Sequence, residues 1–369
     1  MTNSGKAGSD TSLSARLEAQ GRESETSKNE RSESQPIRVA LDAMGGDFGP
    51  QETVKGAMQA LGNDNIQLLL VGDRDPVQAE LDRYDITGKS VSVVSSVDKI
   101  SDNEHPIQAL RNKPKASILE ATKLVKAGDA DAVVSMGSTG ASMASSVFLL
   151  GLMEGLERPA LGGPFLGVAP STVMLDAGSN LDCRPALMLS FAALGSVFAH
   201  RFLEIENPRI GLLSVGAEEA KGNKQVRETY GLLKESHLNF IGNVEGMDFF
   251  TGRADVIVCD GFVGNILMKF TEGLGGALAG FVQERLAGVL SPKDLANISN
   301  DLWQTTNMPR TMGGPLFGVN GAVIVGHGSC EANGVAGAIH TAVRYVKVGL
   351  LESMREELSQ IHKNKQTAM

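Results

Sequence analysis

Six short stretches of this chain combine residue types that bind and polarise anions. They are Asp42-Ala-Met-Gly-Gly-Asp47, Met136-Gly-Ser-Thr-Gly140, Asp176-Ala-Gly-Ser-Asn180, Val215-Gly-Ala-Glu-Glu-Ala-Lys-Gly-Asn223, Asp260-Gly-Phe-Val-Gly-Asn265 and Gly326-His-Gly-Ser-Cys330. Each couples glycines, whose N–H groups can turn toward a ligand, with a polar or charged side chain. Singly, a glycine after a strand is more often a turn requirement than a ligand cradle. Together they point to an anion site lined by Asp42, Gly45, Gly46, Gly137, Ser138, Thr139, Gly140, Gly216, Asn223, Asp260, Gly261 and Gly264.

The side chains in these stretches suggest acyl or phosphoryl chemistry. Lys221 lies in a glycine-flanked loop beside Asn223; its ammonium can hold a phosphate or a developing oxyanion, or simply sit in solvent. Asn265 follows Asp260 by one turn, and its amide can donate to an oxyanion or cap a helix. Asp42 and Asp47 flank a Gly-Gly turn. They can orient backbone donors, hold a cation or make ordinary Asx bonds. His327 stands between two residues of a glycine turn as an acid–base group or a donor, with no partner identified in the sequence. Cys330 reads as a small core or helix-start residue, since no base is placed beside it. Arg111, Lys113 and Lys115 form the densest basic cluster of the folded part. That cluster is either a solvated loop or a contact for a phosphate or an acidic carrier.

Elements must place these groups. Ile37–Leu41, Ile66–Val71, Val91–Val94, Ala132–Ser135, Thr172–Leu175, Ile210–Val215, Val256–Val258 and Ala322–Val325 are short apolar runs. Nearly all end at a glycine turn, and helical patterns such as Ala116–Lys126 lie between them. Strands apolar throughout are expected where helices cover both sheet faces. The alternation predicts an α/β fold with a doubly wound, mostly parallel sheet, and one rim of carboxyl ends that gathers the glycine turns. Residues 1–35 hold almost no large apolar side chains and are expected to form a disordered polar tail. Residues 36–350 are expected to be the α/β domain, with a helical excursion at about 281–310. Residues 351–369 are expected to be a terminal helix and tail. The excursion is either a local or dimer-forming helix pair, or a surface that meets a carrier or a membrane.

Bulk properties narrow the class. The net charge of -9 disfavours non-specific nucleic-acid binding. Three distant cysteines without a CxxC argue against a disulfide framework or zinc site and fit a reducing cytosol. No apolar stretch of signal-peptide length opens the chain, and Pro185–Leu203 reads as a buried helix rather than a membrane span. No GxGxxG follows a strand, and neither a P-loop, a GxSxG elbow nor an HExxH is present.

Larger motifs carry a resemblance. VALDAMGGDFGP (Val39–Pro50), LVGD (Leu70–Asp73), ALRNKPKAS (Ala109–Ser117), SMGSTGA (Ser135–Ala141), RPAL (Arg158–Leu161) and LDAGSNLDCRP (Leu175–Pro185) begin it. GLLSVGAEEAKGN (Gly211–Asn223), FIGNVEG (Phe240–Gly246), CDGFVGNILMKFTEG (Cys259–Gly273) and GHGSCEANGVAGAI (Gly326–Ile339) continue it. In collinear order from Ile37 to about Lys347, these resemble the PlsX family, acyl-ACP:phosphate acyltransferases of bacterial phospholipid synthesis. The resemblance implies a fold similar to the isocitrate/isopropylmalate dehydrogenase and phosphotransacetylase group, in a homodimer. It implies transfer of a fatty acyl group from acyl carrier protein to inorganic phosphate, without metal or organic cofactor. The acyl-phosphate would then serve a membrane glycerol-3-phosphate acyltransferase, which allows peripheral membrane contact by an otherwise cytoplasmic enzyme. It places weight on Lys221 and Asn265 as catalytic groups, with His327 assisting. Ser138 stands where the family usually has Asn, and Cys330 where it usually has Ser. An acyl-CoA-dependent phosphotransacylase, a dehydrogenase on the related fold and a non-catalytic membrane scaffold are the competing readings.

Overall fold

Residues 35–62, 65–308 and 312–367 are described by the computed structural model. The chain divides into Met1–Pro36 and Ile37–Met369; the polar tail expected over residues 1–35 lies outside the described residues except for Gln35.

An 11-stranded sheet organises the second unit. Its strands are β1 (Ile37–Asp42), β2 (Ile66–Gly72), β3 (Val91–Ser95), β4 (Ala132–Ser135), β5 (Ala160–Pro164), β6 (Val173–Leu175), β7 (Ile210–Leu213), β8 (Phe240–Val244), β9 (Val256–Val258), β10 (Gly314–Phe317) and β11 (Ala322–Val325). Every predicted strand forms, three with the expected limits and the others with an end moved by one or two residues; β7 stops at Leu213, before the turn that carries Lys221. Three strands, β5, β8 and β10, were not expected.

The strand order is β3-β2-β1-β4-β11-β10-β5-β6-β9-β7-β8. The first five are mutually parallel, and so are the last four. Between them β10 is antiparallel to both β11 and β5, and β5 is antiparallel to β6. Three reversals leave β6, β9, β7 and β8 running opposite to β1, β4 and β11. This corrects the expectation of one rim: the glycine turns are split between two sets of carboxyl ends.

Eleven helices complete the fold. They are α1 (Gln51–Ala60), α2 (Arg74–Leu81), α3 (Pro106–Asn112), α4 (Ser117–Ala127), α5 (Thr139–Leu150), α6 (Pro185–Leu203), α7 (Lys224–Lys234), α8 (Gly261–Leu286), α9 (Pro292–Thr306), α10 (Ala332–Lys347) and α11 (Leu350–Thr367) among the described residues. Most of α6 is buried, including Phe191, Leu194 and Phe198. Its length and hydropathy would allow a membrane crossing, but its side chains form the core beneath β6 and β9, where Phe198 stacks on Phe202 and meets Phe317 edge-on. Helix α8 is different. At about 39 Å it is the longest helix, and Val263, Ile266, Phe270, Leu274, Leu278 and Phe281 lie exposed along it at helical spacing. The helical excursion therefore begins with the site-forming turn at Gly261, not at residue 281.

Candidate active site

The first rim is built on Asp42. Its carboxyl, only 3% exposed, closes the end of β1. Ser135 Oγ donates to it at 2.7 Å and the Met44 N–H at 3.3 Å, while Ser117 adds a further side-chain bond. Gly137 N–H donates in turn to Ser135 Oγ at 3.0 Å, so one carboxyl ties the turns after β1 and β4 together. Burial raises its pKa above the ordinary aspartate value, and the hydrogen bonds only partly offset that rise. Asp42 thus clamps this pair of turns. Gly45 fits against this assembly because a Cβ there would lie 2.7 Å from Gly137 N.

From this rim α5 sets out. Ser138 is its N-cap and accepts from Ala141 N–H at 3.4 Å, a role that Ser performs as well as Asn. The N–H groups of Thr139 and Gly140, in the first turn, have no intrahelical acceptor. Open N–H groups at a helix amino terminus, with the helix dipole behind them, are the kind of group that binds anions. Gly46 and Asp47 bring the β1 turn to the β11 turn, where Asp47 N–H donates to Gly328 O at 2.8 Å. There Ser329 N–H and Oγ sit 3.3 and 2.9 Å from His327 Nδ1. A backbone donor at Nδ1 assigns the proton of the neutral ring to Nε2. Cys330 is 4% exposed and belongs to the hydrophobic core.

The second rim repeats the device. Asp176, fully buried at the end of β6, accepts from Gly178 N–H (3.0 Å) and Ser179 N–H (2.9 Å) at Oδ1. At Oδ2 it accepts from the N–H and the side-chain amide of Asn180, both at 2.7 Å. Burial again raises its pKa. Sequence reading named this turn without selecting the aspartate; the signal was its position, since Asp176 follows β6 as Asp42 follows β1.

Helix α8 docks on the Asp176 turn. Asp260, not Asn265, caps it by accepting from Val263 N–H at 2.8 Å. Gly261 and Gly264 serve packing rather than anion binding. A Cβ on Gly264 would overlap Asp176 O, one on Gly261 would lie 2.7 Å from Asn180 O, and Gly261 N–H is already spent on Asn180 O at 2.8 Å. The close approach carries half-buried Asn265 against Gly178, and its side-chain amide makes no hydrogen bond among the described residues.

On the adjacent strand β7, the loop 214–223 holds Lys221. Its exposed stem packs over Gly216, and its Nζ makes no ion pair or hydrogen bond among the described residues. Lys221 N–H donates to Glu218 O at 3.0 Å, and that carbonyl also accepts from Asn243 Nδ2 at 2.8 Å. Asn223 is the cap of α7, accepting from Val226 N–H at 2.9 Å. The loop is therefore fixed while the ammonium is left available.

The two rims meet across an apolar cavity of about 870 Å³, which Gly140 borders from one side and Ser179 and Asn180 from the other. Arg111 also borders it. Lys113 does not reach it; its ammonium is held by Glu104 at 2.7 Å and Lys99 O at 3.0 Å. Lys115 is exposed on the same loop. Among the described residues no three His, Cys, Asp or Glu side chains are grouped to hold a metal.

This fold has known counterparts. The fold is similar to a phosphotransacetylase from Streptococcus pyogenes, with TM-score 0.55 and 16% identity over 88% of this chain and 94% of that one. It is also similar to the EutD phosphotransacetylase from Staphylococcus aureus, with TM-score 0.52 and 15% identity over 86% and 94%. At these identities the likeness concerns the fold alone. Sequence similarity is more specific. The family model described as "Fatty acid synthesis protein" matches residues 37–353. Phosphate acyltransferases of Desulforamulus reducens (43% identical over 87% of this chain and 97% of the relative) and Pelotomaculum thermopropionicum (42%, 88% and 96%) are similar along nearly their whole length. The chain belongs to this family, the PlsX family of phosphate acyltransferases in fatty acid and phospholipid synthesis, and is an acyltransferase.

Proposed function

We propose that the chain transfers a fatty acyl group from acyl carrier protein to inorganic phosphate by direct attack. The observation that supports this reading is the pair of unengaged donors in the segments that follow the adjacent strands β7 and β9, Lys221 Nζ and the Asn265 amide; Asn265 packs on Gly178, whose turn borders the same cavity as Gly140 in the first turn of α5. Phosphate is already an anionic nucleophile and a thioester is an activated acyl donor, so no covalent enzyme intermediate is required. One phosphate oxygen bonds to the thioester carbon. The carbonyl oxygen takes the negative charge. Collapse breaks the C–S bond, and the sulfur leaves as a thiolate that picks up a proton from water.

Lys221 and the amides of Thr139 and Gly140 bind phosphate, and Asn265 donates to the oxyanion or aligns the phosphate. His327, with its Nε2 proton, assists as a donor. Holding both reactants accounts for most of the gain, and donors aimed at the developing oxyanion supply the rest. Arg111 and Lys115 are offered to the acidic carrier, whereas Lys113 positions its loop through Glu104. The product's reactive mixed anhydride suits a membrane acyltransferase that acylates glycerol 3-phosphate. The exposed stripe on α8 fits the face of a homodimer, and a cytoplasmic enzyme touching the membrane peripherally would deliver that product.

The test is detection of acyl-phosphate from acyl-ACP and phosphate, repeated with Lys221→Ala and Asn265→Ala. Acyl-CoA serving as well as acyl-ACP would replace the donor. A Lys221→Ala enzyme with an unchanged KM for phosphate would remove the assignment of Lys221. A titration with nicotinamide dinucleotides separates the dehydrogenase reading.

A further inference from the structure

We propose that the cavity between α3, α4 and α5 is the acyl-chain site of this enzyme, a reading that rests on the acyl transfer proposed above. One wall of the cavity is a face of α5. Gly140, Met143, Ala144, Val147 and Phe148 follow the i, i+3, i+4, i+7, i+8 spacing of one helix face, and all of them line the cavity. The stripe runs about 12 Å from the helix amino terminus. Its first residue, Gly140, supplies one of the N–H groups assigned to phosphate. The opposite wall is apolar too, formed by Ile107, Leu110, Leu119 and Leu152. A single surface thus joins an anion-binding end to a long hydrophobic channel, which is the shape of an acyl-phosphate.

Volume and exposure agree. A cavity of about 870 Å³ falls within the roughly 300–1,000 Å³ of ligand pockets that bury most of a drug-sized molecule. Phe148, at the far end, is 77% exposed, and Ile107, next to the Pro106 that meets Gly140, is 56% exposed; a bound chain would cover both. Ser179 and Asn180, held by Asp176, close the near end next to the turn that carries Asn265. The charged residues that border the cavity are Arg111, Lys123, Glu157 and Arg158, and its floor is otherwise mostly apolar. Each methylene taken from water into such a floor is worth about a fourfold gain in binding. The site therefore selects long chains over short ones.

Two variants test this. Ala144→Trp places an indole in the middle of the channel, and Phe148→Ala removes an exposed side chain whose loss leaves the core untouched. Each is read by two measurements: kcat/KM for hexadecanoyl against butanoyl donors, and binding of the fluorescent fatty acid cis-parinarate. The expected result for Ala144→Trp is a loss of at least about tenfold for the long donor and for cis-parinarate, with butanoyl transfer held within about twofold. Phe148→Ala should lose several-fold on the long donor alone. Equal loss on long and short donors, or unchanged cis-parinarate binding in Ala144→Trp, overturns the proposal. So does a change in oligomeric state on Phe148→Ala with unaltered chain preference, which would make the channel a contact between copies. The underlying reading fails separately: the wild type would then form no acyl-phosphate from any donor, whatever it binds.

Discussion

Asn265 lies so close to Gly178 that a Cβ on the glycine would stand 3.2 Å from both the Asn265 Cβ and Oδ1. Gly178 also has φ +142, a region L residues rarely adopt. Its N–H donates to Asp176, so the turn cannot relax without loosening the clamp. Gly178→Ala is expected to displace the Asn265 amide and lower kcat by about ten- to a hundredfold, with a stability cost of roughly 1–3 kcal/mol. Steady-state kinetics and thermal melts on the same preparation check both effects.

Lys221 and Asn265 should separate kinetically. Lys221→Ala is expected to raise the KM for phosphate by about tenfold or more, because it removes a cation from the ground-state site. Asn265→Ala is expected to lower kcat by about a hundredfold with a small change in KM, the signature of a donor used in the transition state. Initial rates over a phosphate series distinguish them. Equal effects of both changes on KM alone would place both groups in ground-state binding.

Asp42 and Asp176 make stability depend on pH with a defined sign. Burial raises both carboxyls above the ordinary value of 3.8, so the folded chain keeps these protons to higher pH than the unfolded chain does. Their contribution is fully present below the unfolded value and is lost as pH rises through the folded one. Asp42→Asn and Asp176→Asn should therefore gain in Tm relative to the wild type as pH is raised from about 4 to about 7. Melting curves across that range are the measurement. A wild type that gains on the variants would mean that hydrogen bonding outweighs burial.

Thiol chemistry should be silent in the folded enzyme. Cys183, Cys259 and Cys330 are all buried. Burial and the nearby Asp176 push the Cys183 thiol up to about 12 and hold Cys259 well above its ordinary value. At pH 8 the thiolate fraction of Cys183 is then about one in ten thousand. Maleimide should leave native protein and its activity unchanged over an hour, and should label all three thiols in denaturant, as counted by mass spectrometry.

The stripe on α8 predicts an assembly defect. Phe270 is 66% exposed and Ile266 51%. Phe270→Asp should convert the native species to a smaller one in analytical ultracentrifugation while leaving the fold intact by circular dichroism. Loss of vesicle sedimentation with unchanged mass would assign the stripe to the membrane.

Much of this architecture was legible in the residues. Ala132–Ser135, Val256–Val258 and Ala322–Val325 appear as strands with the limits expected, because buried parallel strands are apolar at every position and end at glycine or aspartate. The strands that reverse the sheet were not legible. Ala160–Pro164 contains two glycines and a proline, and Gly314–Phe317 contains a glycine and a proline; neither has the alternation or the apolar run that marks a strand. Direction is a property of pairing between distant segments, so the split of the glycine turns could not be read locally. Within the site, Lys221 and Asn265 stood out by chemistry. Asp260, Gly261 and Gly264 read locally as ligand groups because a helix cap and a close contact use the same residue types as an anion cradle. Asp176 was passed over because its work, clamping a turn from below, has no motif of its own.

The placement of β10 and β11 bears on how the chain is made. Strand β11 completes the sheet beside β4, and β10 joins it to β5. Yet about 190 residues of chain separate β4 from β11, and α10, which packs against α1, comes later still. During synthesis β4 therefore emerges with one edge unpaired, and keeps it until β11, at Ala322–Val325, has left the ribosome. A nascent chain stalled before residue 314 would present that edge to its neighbours. The strands that give the enzyme its two-sided cleft thus also make its first half dependent on its end.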